Sequence, residues 1–229
     1  MSTVHVDPAT ATMISLIGSL ADNKSALGRR YGEWAVSAPT IESAVAAAAM
    51  AQDELGHARS TYPVLAKLGL DRDDSGLDAG NPLPMLASEL PDWASFIAAN
   101  LVVDGVLTTF VAGARDSSIE PLAQRARKIL QEEGAHKVHA EAWARRMVAV
   151  GGPDLELLVR RIDEMWASAA RWPGPDSDAG YHAAMDAGMV LFSPLSIRDR
   201  VRDWLTPLVA GVSLDEPEDW SGWDEQTRR

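Results

Sequence analysis

The segments Gln52-Asp53-Glu54-Leu55-Gly56-His57-Ala58-Arg59 and Glu132-Glu133-Gly134-Ala135-His136 decide how this chain is read. Each contains a Glu-x-x-His motif, Glu54–His57 and Glu133–His136. On a helix, that spacing sets a carboxylate and an imidazole one turn apart on the same face. One such tetrapeptide arises readily by chance; two, each in the middle of an apolar stripe, do not. The chain has five histidines, and the motifs take two of them. Hard oxygen and borderline nitrogen donors, duplicated on two helices, are how a bundle builds a carboxylate-bridged dimetal site.

Outward from the motifs, four stripes repeat at 3-4 spacing. The first reads Met13, Ile17, Leu20, Lys24, Leu27, Tyr31, Trp34; the second Ala47, Met50, Glu54, His57, Thr61, Val64. The third is Ile97, Leu101, Asp104, Thr108, Val111, and the fourth Leu122, Ala126, Ile129, Glu133, His136, Ala140, Trp143, Met147. Every stripe is interrupted near its middle by ionisable groups. Buried charge is costly unless paired or metal-bound, so four interruptions call for one common site. Register agrees: Lys24 lies 15 residues before Pro39 and Glu54 lies 15 after it, so the two face each other across a helical hairpin. Asp104 and Glu133 are similarly placed about Ser117-Ser118. Glu33 fails this test. It is nine residues beyond Lys24, about 13 Å along the axis, and has Arg29 and Arg30 as partners, so it is read as structural.

Gly56, Gly134 and Gly105 crowd the site. Glycine in a helix is unfavourable by about 1 kcal/mol against alanine, so either room for a ligand or close helix crossing must compensate. Asp53 and Glu132 each sit four residues before a motif histidine. They are expected to accept that ring's second N–H and fix its tautomer, the other reading being solvated helix charges. His139 is read as structural rather than as a third nitrogen ligand. His5 and His182 fall in expected terminal or loop positions.

The layout is all-α: helices from Asp7-Pro8 to before Ser37, Thr40 to Leu68, Pro91 to Arg115, about residue 119 to Val150, and Pro153 to Arg171, with one or two more over 181–211. Loops are expected at 71–83 and 172–180. With its long second connection this is a ferritin-like four-helix bundle with additional C-terminal helices. One bundle domain covers 1–212, and an irregular acidic tail with Trp220 and Trp223 covers 213–229. The tail either covers an interface or pocket mouth or is exposed.

Net charge is −12, from 21 Lys+Arg against 33 Asp+Glu. That excludes the basic footprint that nucleic acid or an anionic membrane surface requires. With no cysteine, disulfides, Fe–S clusters and thiol catalysis are excluded. No leader pattern and no uncharged 18-residue apolar stretch is read, so a soluble cytoplasmic protein is expected.

At Leu27-Gly28-Arg29-Arg30-Tyr31-Gly32-Glu33-Trp34, at the two motif segments and at Leu101-Val102-Val103-Asp104-Gly105, the chain resembles the ferritin-like subunits of bacterial multicomponent phenylacetyl-CoA 1,2-epoxidase, over about residues 15–212. That family holds a catalytic subunit with a diiron centre and a structural subunit that has lost its ligands. The resemblance implies metal ligation by Glu54, His57, Asp104, Glu133 and His136. Iron is the implied metal, as one or two ions, with manganese as the variant. The first and last thirds look more like the structural subunit.

Lys24 departs from the pattern, standing where the catalytic subunit has a glutamate. It is the candidate catalytic residue of the centre. Two divalent ions with four carboxylates are neutral; three carboxylates with an ammonium suit one. Three states are open: a neutral or carbamylated lysine at a dimetal site, an ammonium replacing one metal, or a metal-free salt-bridged relic. A snorkelling lysine at the helix edge is the plain alternative.

Three functions follow. The first is a metal-dependent, oxygen-activating oxygenase for a small substrate, aromatic or acyl-CoA, with an external reductase, because no flavin, nicotinamide or Fe–S motif is present. The second is a non-catalytic structural subunit with a degenerate site beside a homologous partner. The third is iron handling or peroxide disproportionation. A homo- or hetero-oligomer is expected.

Overall fold

The computed structural model describes residues 6–70 and 80–229. Among them are seven helices and no strand. α1 (Pro8–Trp34) starts as the sequence dictates: the Asp7 side chain accepts from Thr10 N–H at 3.0 Å, and Pro8 fills the first turn, where no N–H is needed. α2 (Ile41–Lys67) is capped by Thr40, and the chain leaves it through Gly69 at φ +90°, a left-handed turn that favours glycine. α3 (Trp93–Gly113) is capped by Asp92, which accepts from Ser95 N–H at 2.7 Å. α4 (Glu120–Val150) is followed by α5 (Gly152–Ala169), α6 (Ala179–Asp186) and α7 (Pro194–Leu205).

α1 pairs with α2 and α3 with α4, and α2 packs on α4 to close the four-helix bundle. α5 lies against α3, α6 against α1, and α7 against the second half of α3. The four stripes meet in the core: of the residues read as stripe positions, all but Trp34, Thr108 and Trp143 are buried. Burial on this scale supplies the main driving force for the fold, at about 25 cal/mol per Å² of apolar surface.

Three local features differ from expectation. Residues Ala99–Asp104 of α3 form a π-helical turn, where a regular helix was expected. π turns leave little composition signal and recur at functional sites. The region expected to be loop up to 180 already starts α6 at Ala179, because Asp178 accepts from Tyr181 N–H at 3.0 Å and acts as a cap; His182 therefore lies on a helix. Of the loop expected at 71–83, residues 71–79 lie outside the described residues, as does His5; the part that follows carries only a 3₁₀ turn at Pro84–Leu86.

α3 is the one helix, among the described residues, long and apolar enough to cross a membrane, but 78% of its apolar window is buried inside the bundle. Its apolarity is accounted for by the core. Beyond Ser213 there is no helix, yet the segment is tied down. Trp166 Nε1 donates to the Asp215 carbonyl at 2.8 Å, and the fully buried Arg228 donates to Pro173 O at 3.1 Å and Ser15 Oγ at 3.0 Å.

Candidate metal centre

Lys24 from α1 is fully buried at the bundle centre and reaches all three carboxylates. Its Nζ lies 3.1 Å from Glu54 Oε1, 2.5 Å from Asp104 Oδ1 and 2.5 Å from Glu133 Oε1. The hairpin register thus holds, and the lysine at the helix edge is ruled out. Burial opposes its charge, but Asp104, Glu133 and Glu54 outweigh that and hold its pKa well above the ordinary lysine value. Among these three carboxylates alone, Lys24 is held as an ammonium.

The carboxylates separate in response. Glu133 is held well below its usual value despite burial, mainly by Lys24. Glu54 is also lowered, against burial, by Lys24. Asp104 goes the other way, to about 6, through burial and the neighbouring Glu133 and Glu54 charges.

Both motif histidines turn Nδ1 inward. His136 Nδ1 lies 3.3 Å from Glu54 Oε1, 3.3 Å from Glu133 Oε2 and 3.6 Å from Asp104 Oδ2. His57 Nδ1 lies 3.3 Å from Glu133 Oε1 and 3.7 Å from Glu54 Oε2. These atoms are close but not aligned: His57 Nδ1, His136 Nδ1 and Glu54 Oε2 are buried without a hydrogen-bond partner. Burial works against imidazolium charge, yet the surrounding carboxylates push His57 up to about 9 and His136 to about 12.

The outer nitrogens are held as expected in kind, but crossed between helices. His57 Nε2 meets Glu132 at 2.9 Å and His136 Nε2 meets Asp53 at 3.3 Å. Each carboxylate serves the opposite motif's ring rather than the one four residues on. Both motifs face the same interior, so the residue preceding each glutamate abuts the other helix.

One donor atom from each of Glu54, Asp104, Glu133 and His136 falls within a set whose members are all within 4.8 Å of one another. That spacing is compatible with ligation of a cation by these four residues, although Lys24 Nζ lies against three of them. His57, expected as a fifth ligand, lies outside this set, with its Nδ1 3.3 Å from Glu133 Oε1. Three orphaned inward polar atoms, mixed nitrogen and carboxylate donors, and fixed outer nitrogens all suit a borderline divalent cation.

The glycines divide. A Cβ at Gly56 or Gly134 would meet nothing within 4 Å, so tight crossing does not explain them. At Gly105 a Cβ would come 3.1 Å from Trp204 Cζ3, which is close packing of α7 on α3. Glu33 pairs with Arg30 at 3.0 Å, as expected for a structural residue. His139 packs edge-on to Trp93 and Phe96, outside the donor set.

Three residues near the centre were not among the candidate site residues, Tyr31 being read only as a stripe position. The Tyr31 phenol is fully buried; burial and the Asp104, Glu54 and Glu133 charges push it well above its ordinary pKa. Asn100, on the π turn, is 2% exposed. Trp204 of α7 reaches over α3.

Fold and centre together define a ferritin-like bundle carrying a buried carboxylate–histidine cluster able to hold a metal. Residues 2–229 match the family described as phenylacetic acid catabolic protein, and the chain belongs to that family. It is similar to one of the subunits of the 1,2-phenylacetyl-CoA epoxidase of Escherichia coli (strain K12), with 27% identity over 159 residues, 66% of this chain. The chain covers 63% of that relative's length.

Proposed function

We propose that this chain is the metal-binding component of a phenylacetyl-CoA epoxidase-like oxygenase, holding one divalent ion, iron or manganese, with Lys24 in place of a second. The observation that carries this reading is the closure of Glu54, Asp104, Glu133 and His136 into one donor set, with His57 beside it and unsatisfied nitrogens aimed inward. When bound, the metal would supply dioxygen activation and charge stabilisation at the substrate.

This chain's residues do the rest. Glu132 and Asp53 accept from the Nε2–H of His57 and His136, leaving each Nδ1 lone pair for a cation. Metal uptake therefore displaces protons from those Nδ1 atoms. Lys24 neutralises one carboxylate charge, and the buried side chains of Ile17, Leu20, Leu27 and Leu101 exclude water. Electrons come from a separate reductase, a homologous partner protein completes the assembly, and the substrate is a small apolar acyl or aromatic compound. A cytoplasmic location fits this chemistry.

A second reading, a scaffold without catalysis, is favoured by the three ion pairs that already satisfy Lys24. It also fits a relative that is itself one part of a larger epoxidase. Elemental analysis separates the two. Protein expressed with iron and manganese is expected to hold about one metal per chain, rising toward two in Lys24→Glu. No metal in either variant leaves the scaffold.

A further inference from the structure

The outer face of α2 is unpartnered within the chain. Its solvent-facing row reads Glu42, Val45, Ala49, Gln52, Gly56, Arg59, at alternating steps of three and four, and every member is exposed. Ile41 and Val45 are 74% and 64% exposed. From Ser43 to Gln52 there is no charged residue, although the solvent side of a helix is ordinarily charged and polar. Gly56 is unfavourable in mid-helix, and a Cβ there would meet nothing within 4 Å, so nothing inside the chain compensates for it. The two charges that end the row, Glu42 and Arg59, form no ion pair among the described residues.

The row complements itself. When two copies of α2 pack face to face and antiparallel, about a two-fold axis between Ala49 and Gln52, Glu42 meets the partner's Arg59 and Val45 meets the partner's Gly56. Ala49 then meets the partner's Gln52. The same axis suits α4. α2 and α4 are level where Trp143 Nε1 donates to Ser43 Oγ at 2.9 Å and where His57 Nε2 meets Glu132 at 2.9 Å. Midway between those two contacts lie the turn from Ala49 to Gln52 on α2 and Val138 on α4. Val138 is 69% exposed, in an uncharged outer row of Gln131, Ala135, Val138 and Ala142. On that axis Val138 meets its own counterpart, and Ala135 meets the partner's Ala142. Two helix rows about 27 Å long and about 10 Å wide give roughly 500 Å² per copy, below the ~800 Å² per partner of a standard interface. The contact is therefore weak and reversible.

We propose that the outer face of α2 and α4 is a self-docking surface, on which a second copy of this chain packs antiparallel. Val45 seats over the partner's Gly56, and Glu42 pairs with the partner's Arg59. A second copy is the occupant because knob and notch, and acid and base, complement one another within a single row; a partner of other sequence would need neither match. The inference is independent of the metal reading.

The test is sedimentation equilibrium of the whole chain, from low-micromolar to near-millimolar concentration, with a chelator present so that no metal bridges two copies. Wild type is expected to pass reversibly from one chain to two. Glu42→Arg and Arg59→Glu each set like charges opposite one another and weaken the dimer by about tenfold. The double variant Glu42→Arg/Arg59→Glu restores it, as does mixing the two single variants. Gly56→Trp fills a notch that is open in the chain itself, and loses the dimer while helix content stays unchanged. A wild type that remains one chain throughout would overturn the proposal. So would a dimer indifferent to Gly56→Trp. Weakening by both single charge variants without recovery in the double would overturn it too, since Glu42 and Arg59 would then face other groups.

Discussion

Lys24 brings one positive charge to within 3.1 Å of three buried carboxylates, and no other lysine or arginine shares that contact set among the described residues. Removing one partner of a buried ion network leaves the others uncompensated, which costs about 3–5 kcal/mol. Lys24→Met is therefore expected to lower metal-free stability by that amount in urea unfolding, with little change in the slope. A loss under about 1 kcal/mol would mean that water or protonation already relieves the carboxylates. Glu132 acts at one remove. Glu132→Gln weakens its hold on His57 Nε2 and is expected to reduce metal affinity about 10- to 100-fold, measured by competition with a chelator, while leaving helix content unchanged. Counting residues from Pro39 was enough to place Lys24 opposite Glu54, because a hairpin turn fixes level. It could not show that Asp53 and Glu132 would serve each other's histidine. Spacing along one helix says nothing of which neighbour a side chain meets across the gap.

α3 shows what an element carries beyond its stripe. Its apolar run, its start near Pro91 and its ionisable break at Asp104 were legible, since each is a composition or spacing signal; its cap at Asp92 was not read. The π turn was not legible: it adds no residue type, and it carries Asn100 and Asp104, which line the same cavity. Asp92 ties the start of α3 to α5 through Arg161, whose Nη2 lies 2.7 Å from Oδ2. Burial, the largest single effect, raises the Asp92 pKa, but hydrogen bonds from Arg161 and Ser95 together outweigh it and hold the carboxyl below its usual value of 3.8. A depressed folded-state pKa stabilises the native state above the unfolded value, and that contribution is lost as pH falls through the lower folded one. Asp92→Ala is thus expected to cost about 1–2 kcal/mol at pH 7, through the lost cap and pair, and progressively less below pH 4. A mutant-minus-wild-type difference that stays flat from pH 7 to 3 would show that the carboxylate charge plays no part.

At the scale of the whole molecule, the centre is a meeting of four helices from distant parts of the sequence: Lys24 on α1, Glu54 on α2, Asp104 on α3 and Glu133 on α4. The unfolded chain cannot reproduce that geometry, so a cation bound there stabilises the folded state alone. The gain follows RT ln(1 + [L]/Kd), about 2.7 kcal/mol at one hundred times Kd. For a chain of this size each kcal/mol moves Tm by roughly 2–4 °C, so saturating ferrous or manganous ion is expected to raise Tm by about 5–10 °C. His136→Ala removes one member of the donor set and should abolish most of the shift, whereas Arg228→Ala should lower Tm with and without metal by the same amount. Arg228 ties the C-terminal segment to Ser15, nine residues and about 13 Å along α1 from Lys24, so its loss loosens the bundle without touching the cluster. Equal shifts in wild type and His136→Ala would place the cation on the acidic surface instead. A shift in wild type that disappears only in His136→Ala ties stability to the ligands on which the four stripes converge.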